Sequence, residues 1–270
     1  MKDDRSDMER VEIREVWAHN LQHEFKIIRD MIGKYNHIAM DTEYPGTIIP
    51  NPNPMYCSAT PNEIYDVMKS NVSGTNMIQL GLTLSTSNGD LPIYNGKSVS
   101  WQFNFKEFNP AIDKQGPGSV EFLARQGVDY EKNMKYGVDS NIFGELLMSS
   151  GAVMNDEVSW VTFHCTYDFS YLIKILTRKN MLPKTLPEFM AVVNIYFRNV
   201  FDAKFLYNDQ RKGLKYIANV LGLKRVGKEH NAGSDSLLTM QVFVALRDRM
   251  FGGDVRRFGG QIHGLGVINC

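Results

Sequence analysis

The stretch His37-Ile38-Ala39-Met40-Asp41-Thr42-Glu43-Tyr44-Pro45-Gly46 limits this chain more than any other. An apolar-leaning run, short enough for a buried strand, ends in two carboxylates two positions apart. Side chains alternate along a strand, so Asp41 and Glu43 emerge on one side and Thr42 on the other. Two like charges at the edge of a core are unfavourable unless a positive charge sits between them. A divalent cation suits that position best, because hard cations prefer carboxylate oxygen. The rest of the chain must then bring further ligands to the end of this strand.

The composition permits such a fold. With 270 residues and 43 % hydrophobic side chains, the sequence can fill one large α/β domain spanning 1–270, and no linker divides it. Residues 1–10 and about 252–270 are expected to be irregular. Thirty basic and thirty acidic residues cancel, which argues against gripping nucleic acid by bulk charge and leaves room for local basic patches. Cys57, Cys165 and Cys270 are sparse, odd in number and without metal-type spacing, as in a reduced intracellular protein. The start, Met1-Lys2-Asp3-Asp4-Arg5, is charged, and no apolar run approaches the roughly 18 residues a membrane span needs. The expected setting is cytoplasm and nucleus, with no membrane partner.

From Val11 to about Tyr35 the apolar positions Val16, Trp17, Leu21, Phe25, Ile28 and Ile32 predict one amphipathic helix leading into the Asp41 strand. A loop rich in proline (Pro45, Pro50, Pro52, Pro54, Pro61) follows, of a length often tied to function. Thr60-Pro61-Asn62-Glu63 and Thr185-Leu186-Pro187-Glu188 read as capping boxes that open helices. Met77–Ser85 and Val99–Phe105 read as strands, with an Asn88-Gly89 turn suggesting a hairpin or near-hairpin between them. Gly116 to Gly127 is expected to carry a helix starting at Gly118-Ser119, and another runs from Asp139, as cap, through Met148. The strand Val158–His164 leads into a helix from Ser170 to Arg178. A short strand ends at Asp202, Gly213–Leu221 is helical, and the last long helix runs from Gly233 to Met250. Strands alternating with helices after an antiparallel start predict a layered domain with a mixed sheet.

Three more residues join the first carboxylate pair by position. Asp168 opens a helix just after a strand, Asp235 opens the last long helix, and His230 lies in the loop ahead of it. Element ends are where open α/β sheets build their sites, and a histidine there can take a proton from water. Each has a structural alternative. Asp168 and Asp235 can be helix N-terminal carboxylates favoured by the macrodipole, His230 a surface residue, His164 a hydrogen-bonded core histidine and Asp202 a cap. Tyr44 and Pro45 can line a substrate groove, where a stacked base gains roughly 1–3 kcal/mol, or Tyr44 can pack in the core. Lys212, Lys215, Lys224, Arg225 and Lys228 can track a phosphate backbone or form a solvated face.

Jointly these residues resemble the DEDD superfamily of 3′-to-5′ exonucleases, with Asp41-Thr42-Glu43, Asp168, and His230 before Asp235 matching the DEDDh branch. MDTEYPG, WVTFHCTYDFSYLIKIL and HNAGSDSLLT are similar to the Caf/Pop-type deadenylases, the catalytic subunits of the eukaryotic CCR–NOT complex, from about Val11 to Gly266. The family more often has phenylalanine at Tyr44 and Ser-Gly at Cys165-Thr166. The resemblance implies a ribonuclease-H-like mixed sheet flanked by helices. It also implies hydrolysis of poly(A) from the 3′ end with release of 5′-AMP, and two divalent ions, Mg2+ or Mn2+, about 3.5–4 Å apart. On the same footing Asp41 bridges both ions, Glu43 and Asp235 serve the nucleophile side, Asp168 serves the leaving-group side, and His230 is the base. The implied partners are single-stranded 3′ poly(A) RNA, a Not-type scaffold and a second deadenylase. A DEDDh exonuclease of broader RNA or DNA specificity, or a weakly active scaffold subunit, are the alternatives.

Overall fold

The structure is a computed structural model describing residues 11–50 and 59–267. In chain order its elements are β1 (Val11–Val16), α1 (Leu21–Met31), β2 (His37–Glu43), α2 (Pro61–Gly74), β3 (Gln79–Ser85), β4 (Ile93–Tyr94), β5 (Lys97–Asn104), α3 (Ser119–Gln126), α4 (Tyr130–Tyr136), α5 (Ser140–Met148) and β6 (Ser159–Thr162). They continue with α6 (Asp168–Thr177), α7 (Leu186–Tyr196), β7 (Asn199–Asp202), a 3-10 turn (Ala203–Leu206), α8 (Leu214–Val220), α9 (Ala232–Phe251), β8 (Gln261–Ile262) and β9 (Gly266–Val267).

The strand that carries Asp41 and Glu43 is β2, and it lies inside a mixed sheet of order β1-β5-β3-β2-β6-β7, with β4 added on β5. It runs antiparallel to β3 and parallel to β6. Alternation sends Ile38 and Met40 into one layer, against side chains of α1, α2, α5, α6 and α7. Ala39 faces the other layer, under α8 and α9. Both sheet faces are therefore covered, as the near-continuous burial of β3 also requires. Both capping boxes form, with Thr60 and Thr185 accepting from the backbone of Glu63 and Glu188, and Asp139 caps α5.

One close approach sets where α9 begins. Asp41 pairs across the sheet with Gly81 of β3. A Cβ on Gly81 would stand 1.8 Å from the carbonyl oxygen of Ala232, the first residue of α9. Only a glycine lets the helix start directly over the strand beside Asp41.

The structure corrects several sequence expectations. Val11–Tyr35 is not one helix. Val11–Val16 is an edge strand parallel to β5, from Val11↔Ser98 to Val16↔Phe103, and the helix begins at Leu21. The run Val-Glu-Ile-Arg-Glu-Val alternates with β-branched residues and pairs where an edge is open. Asn20 closes the turn, accepting from the Trp17 N–H at 2.7 Å and donating to the Glu15 carbonyl at 3.0 Å. The Asn88-Gly89 turn forms and β3 and β5 pair antiparallel, as a near-hairpin requires, but the tight two-residue hairpin lies at Asn95-Gly96 between β4 and β5, both residues at positive φ. Helix α4, capped by Asp129, was not expected. The segment after Gly252, expected to be irregular, holds a 3-10 turn at Arg256–Phe258 and the β8–β9 hairpin. Pro52, Pro54, Cys57 and Cys270 lie outside the described residues. Among the described residues no helix is long and apolar enough to cross a membrane.

Candidate active site

Alternation along β2 divides the carboxylates between the two layers. Asp41 and Glu43 share the side of Ala39, where α9 begins and carries Asp235 in its first turn. Ligand atoms of Glu43, His230 and Asp235 all lie within 4.8 Å of one another. Thr42 faces the opposite layer and donates its hydroxyl to Oδ1 of Asp168, the first residue of α6, at 2.7 Å. Asp168 thus reaches the strand end from across the sheet, and all four carboxylates and His230 line one cavity of about 930 Å³.

Burial, and for Asp41 and Glu43 crowding as well, shows in their protonation. Burial, then the charges of Asp235, Asp168 and Glu43, push the Asp41 carboxyl well above the usual carboxylate range. Glu43 is raised to about 8 by burial and by Asp235 and Asp168. Asp168 is raised to about 7 by burial, against the pull of the Thr42 hydroxyl. Asp235 is raised by burial and held back by Arg225. Such a cluster takes up protons or cations. Arg225 Nη1 stands 2.5 Å from Asp235 Oδ1 and 3.0 Å from Ser234 Oγ, which in turn donates to the Val226 carbonyl at 2.7 Å. One guanidinium cannot neutralise four carboxylates. The donor set is hard oxygen with one imidazole and no thiolate, which suits Mg2+ or Mn2+.

The surrounding residues hold the cluster in place. Asp202, 1 % exposed, accepts from the backbone N–H of His164 at 2.8 Å, Cys165 at 3.2 Å and Lys204 at 3.0 Å. It fixes the turn that delivers Asp168, which is the capping role read from the sequence. His164 is not a core histidine. Its φ of 65° in that tight turn aims the ring into the cavity, where it is exposed. His230 has a φ of 58°, a side chain 46 % exposed and its ring 4.8 Å from that of Phe122. Next to it, the Asn231 side-chain amide donates to the Gln126 carbonyl of α3 at 3.0 Å.

Tyr44 satisfies both of its readings. It stacks on Tyr167 with centroids 5.0 Å apart, packs against the core and lines the cavity. Pro45 is buried and does not line the cavity; its carbonyl accepts from the Gly116 N–H at 2.7 Å. Of the basic stretch, Lys215 and Arg225 line the cavity. Lys215 pairs with Glu229 at 2.7 Å, while Lys212 lies over the Tyr216 ring. Thr42 and Arg225 are the contributors that the sequence reading did not single out. Thr42 was visible in the alternation of β2, whereas nothing in the sequence marked Arg225 from its basic neighbours.

Carboxylates from two sheet layers, meeting at a strand end with a histidine at the rim, define a nuclease of the DEDDh class. The sequence profile of the CAF1 family ribonucleases matches residues 16–140. A relative from Arabidopsis thaliana, the probable CCR4-associated factor 1 homolog 10, is 45 % identical over 94 % of this chain and 92 % of its own length. The poly(A) ribonuclease pop2 of Schizosaccharomyces pombe is 39 % identical over 94 % of this chain and 75 % of its own. The structure of S. pombe Pop2p in its Mg2+- and Mn2+-bound form superposes with a TM-score of 0.86 at 38 % identity, over 94 % of this chain and 99 % of that one. A structure of the yeast NOT1 MIF4G domain co-crystallized with CAF1 matches with a TM-score of 0.80 at 32 % identity, over 97 % of this chain and 100 % of that one. The chain belongs to the CAF1 ribonuclease family, and its fold is the ribonuclease-H-like mixed sheet.

Proposed function

We propose that this chain is a divalent-metal-dependent 3′-to-5′ exoribonuclease that shortens the poly(A) tails of mRNA and releases 5′-AMP. The observation that carries the reading is the convergence of Asp41, Glu43, Asp168 and Asp235 with His230 on one cavity, with the carboxyls raised by burial and, at Asp41 and Glu43, also by the neighbouring carboxylates. Relatives named as poly(A) ribonuclease and solved with Mg2+ and Mn2+ support it. Glu43 and Asp235, next to His230, would hold one ion, Asp168 a second, and Asp41 would touch both. When bound, such a pair stabilises the attacking and leaving oxygens of an in-line displacement. His230 takes the proton of the attacking water. The new bond forms between water oxygen and the phosphorus of the terminal nucleotide, the bond to the upstream 3′ oxygen breaks, and that oxygen takes a proton from solvent to become the new 3′-hydroxyl. Thr42 orients Asp168 and favours its ionised form against burial. Tyr44 presents an aromatic face to the terminal nucleotide.

The chain docks, in this reading, on a Not-type scaffold, as CAF1 does with the yeast NOT1 MIF4G domain, and works beside a second deadenylase in cytoplasm and nucleus. Asp41→Ala should abolish 5′-AMP release from a 3′-adenylated RNA, by more than about a thousandfold, with an unchanged circular dichroism spectrum. Turnover equal to that of the unsubstituted chain would sink the proposal. Equal rates on poly(A), other homopolymers and single-stranded DNA would shift the reading to a broader exonuclease.

A further inference from the structure

The cavity continues past the carboxylates to a second wall that the hydrolytic step does not use. His164 comes from the turn after β6, Phe205 from the 3-10 turn, and His263 from the loop between β8 and β9. The His164 and His263 rings lie 4.3 Å apart at 76°, and Phe205 is 5.8 Å from His263 at 40°. Side chains that only filled the core would be closed over; here His164 is exposed to the cavity, and Phe205 and His263 are partly open to it.

The wall is rigidly built. Asp202 clamps the backbone on both sides, at His164 and at Lys204. Thr166 Oγ1 donates to the His263 carbonyl at 2.6 Å, and the Gly260 N–H donates to Val200 of β7 at 2.8 Å, tying the C-terminal hairpin to the sheet. Desolvation by the cavity walls, then the His263 ring and the Lys204 charge, push His164 down to about 4; desolvation and Lys204 lower His263 against the pull of Asp202, so near neutral pH both rings are uncharged. Neutral aromatic rings are poor anion binders and good stacking partners for flat bases. Tyr44, on Tyr167, offers another aromatic ring at the end of β2, so aromatic surface flanks the carboxylates in this one cavity.

We infer that His164, Phe205 and His263 form a second nucleotide subsite, which takes by stacking the base immediately upstream of the scissile phosphodiester in single-stranded RNA. This rests on the nuclease reading above. Stacking tolerates any base, so the subsite favours an unpaired strand of at least two nucleotides over a mononucleotide.

The test uses His263→Ala and Phe205→Ala in the full chain with Mn2+, on adenylate oligomers two to six nucleotides long. The expected result is a rise in KM of about fivefold or more for each variant, the lower end of what one stacked base contributes. Inhibition by 5′-AMP, which fills only the terminal position, should stay unchanged, and His263→Phe, which keeps a ring, should restore KM. Oligomer binding followed by fluorescence anisotropy in an Asp41→Ala background gives the same comparison without turnover. Unchanged KM and Kd in both alanine variants, or an equal loss of 5′-AMP inhibition, would overturn the subsite. Failure of the unsubstituted chain to hydrolyse any RNA would instead count against the proposed function, and the anisotropy comparison would still decide the subsite.

Discussion

Arg225→Met removes the guanidinium that faces Asp235 while keeping most of the side-chain volume. The two side chains are 17 % and 10 % exposed and 2.5 Å apart, so solvent screens the pair only weakly. Unit charges about 4 Å apart attract by about 4 kcal/mol at an effective dielectric near 20, and breaking a buried pair costs about 3–5 kcal/mol. Asp235, already raised, can relieve part of this by taking a proton, so about 2–3 kcal/mol is expected near pH 7. At roughly 2–4 °C per kcal/mol for a chain of this size, melting in chelator should fall by about 5–10 °C.

The sign of the pH dependence follows from Asp235. Loss of Arg225 raises a folded-state carboxyl pKa that burial has already raised, and a carboxyl raised on folding loses stability as pH climbs through its folded-state value. The difference between variant and parent should therefore be small near pH 5 and widen toward pH 8. The same substitution frees Asp235 to rotate. Metal affinity by isothermal titration should weaken about tenfold, the low end of the range for removing a partner of a ligand, although one positive charge fewer by itself favours the ion. Scanning calorimetry in EDTA at pH 5 to 8 is the matching stability assay. An unchanged melting temperature, or tighter metal binding in the variant, would refute the view that Arg225 orients Asp235.

Further outcomes follow from the same cluster. In chelator the folded chain should lose stability as pH rises through the values near 7 for Asp168 and 8 for Glu43, whereas Mn2+ should bind more tightly over that range and release protons, measurable by calorimetry in buffers of different ionisation heat. Thr42→Val deletes the hydroxyl on Asp168; urea unfolding should show a loss of about 1–2 kcal/mol, and the Asp168 carboxyl should titrate higher by NMR. Gly81→Ala places a methyl group 1.8 Å from the Ala232 carbonyl. It should destabilise the fold by about 3 kcal/mol and, by shifting α9, reduce hydrolysis about a hundredfold; wild-type turnover in a folded Gly81→Ala chain would contradict the close approach.

Much of the candidate site, as a set of residues that the fold brings to one cavity, was legible because its signals are local. Asp41 and Glu43 advertise themselves by period and position on one strand. Asp168 and Asp235 each open a helix, and both capping boxes announce their own helices. What failed depended on partners distant in the chain. Val11–Val16 alternates like a strand, yet Trp17, Leu21 and Phe25 continue a helical spacing, and only the open edge of β5 decides between them. His263 looked like part of a glycine-rich tail, and the loop that presents it is closed by a two-residue pairing, Gln261↔Val267 and Ile262↔Gly266. Arg225 looked like one lysine-run neighbour among several, because its partner lies ten positions along, on another element.

Thr42 and its two neighbours carry a mechanical consequence. Within three residues one strand hands Asp41 and Glu43 to one helical layer and, through Thr42, grips Asp168 from the other. Ions seated there would work as a rivet driven through the sheet, fastening α6 on one side to α9 on the other. Stripping the ions would then loosen both faces together, and the proposed metal cluster would double as the bolt that holds the two helical layers in alignment.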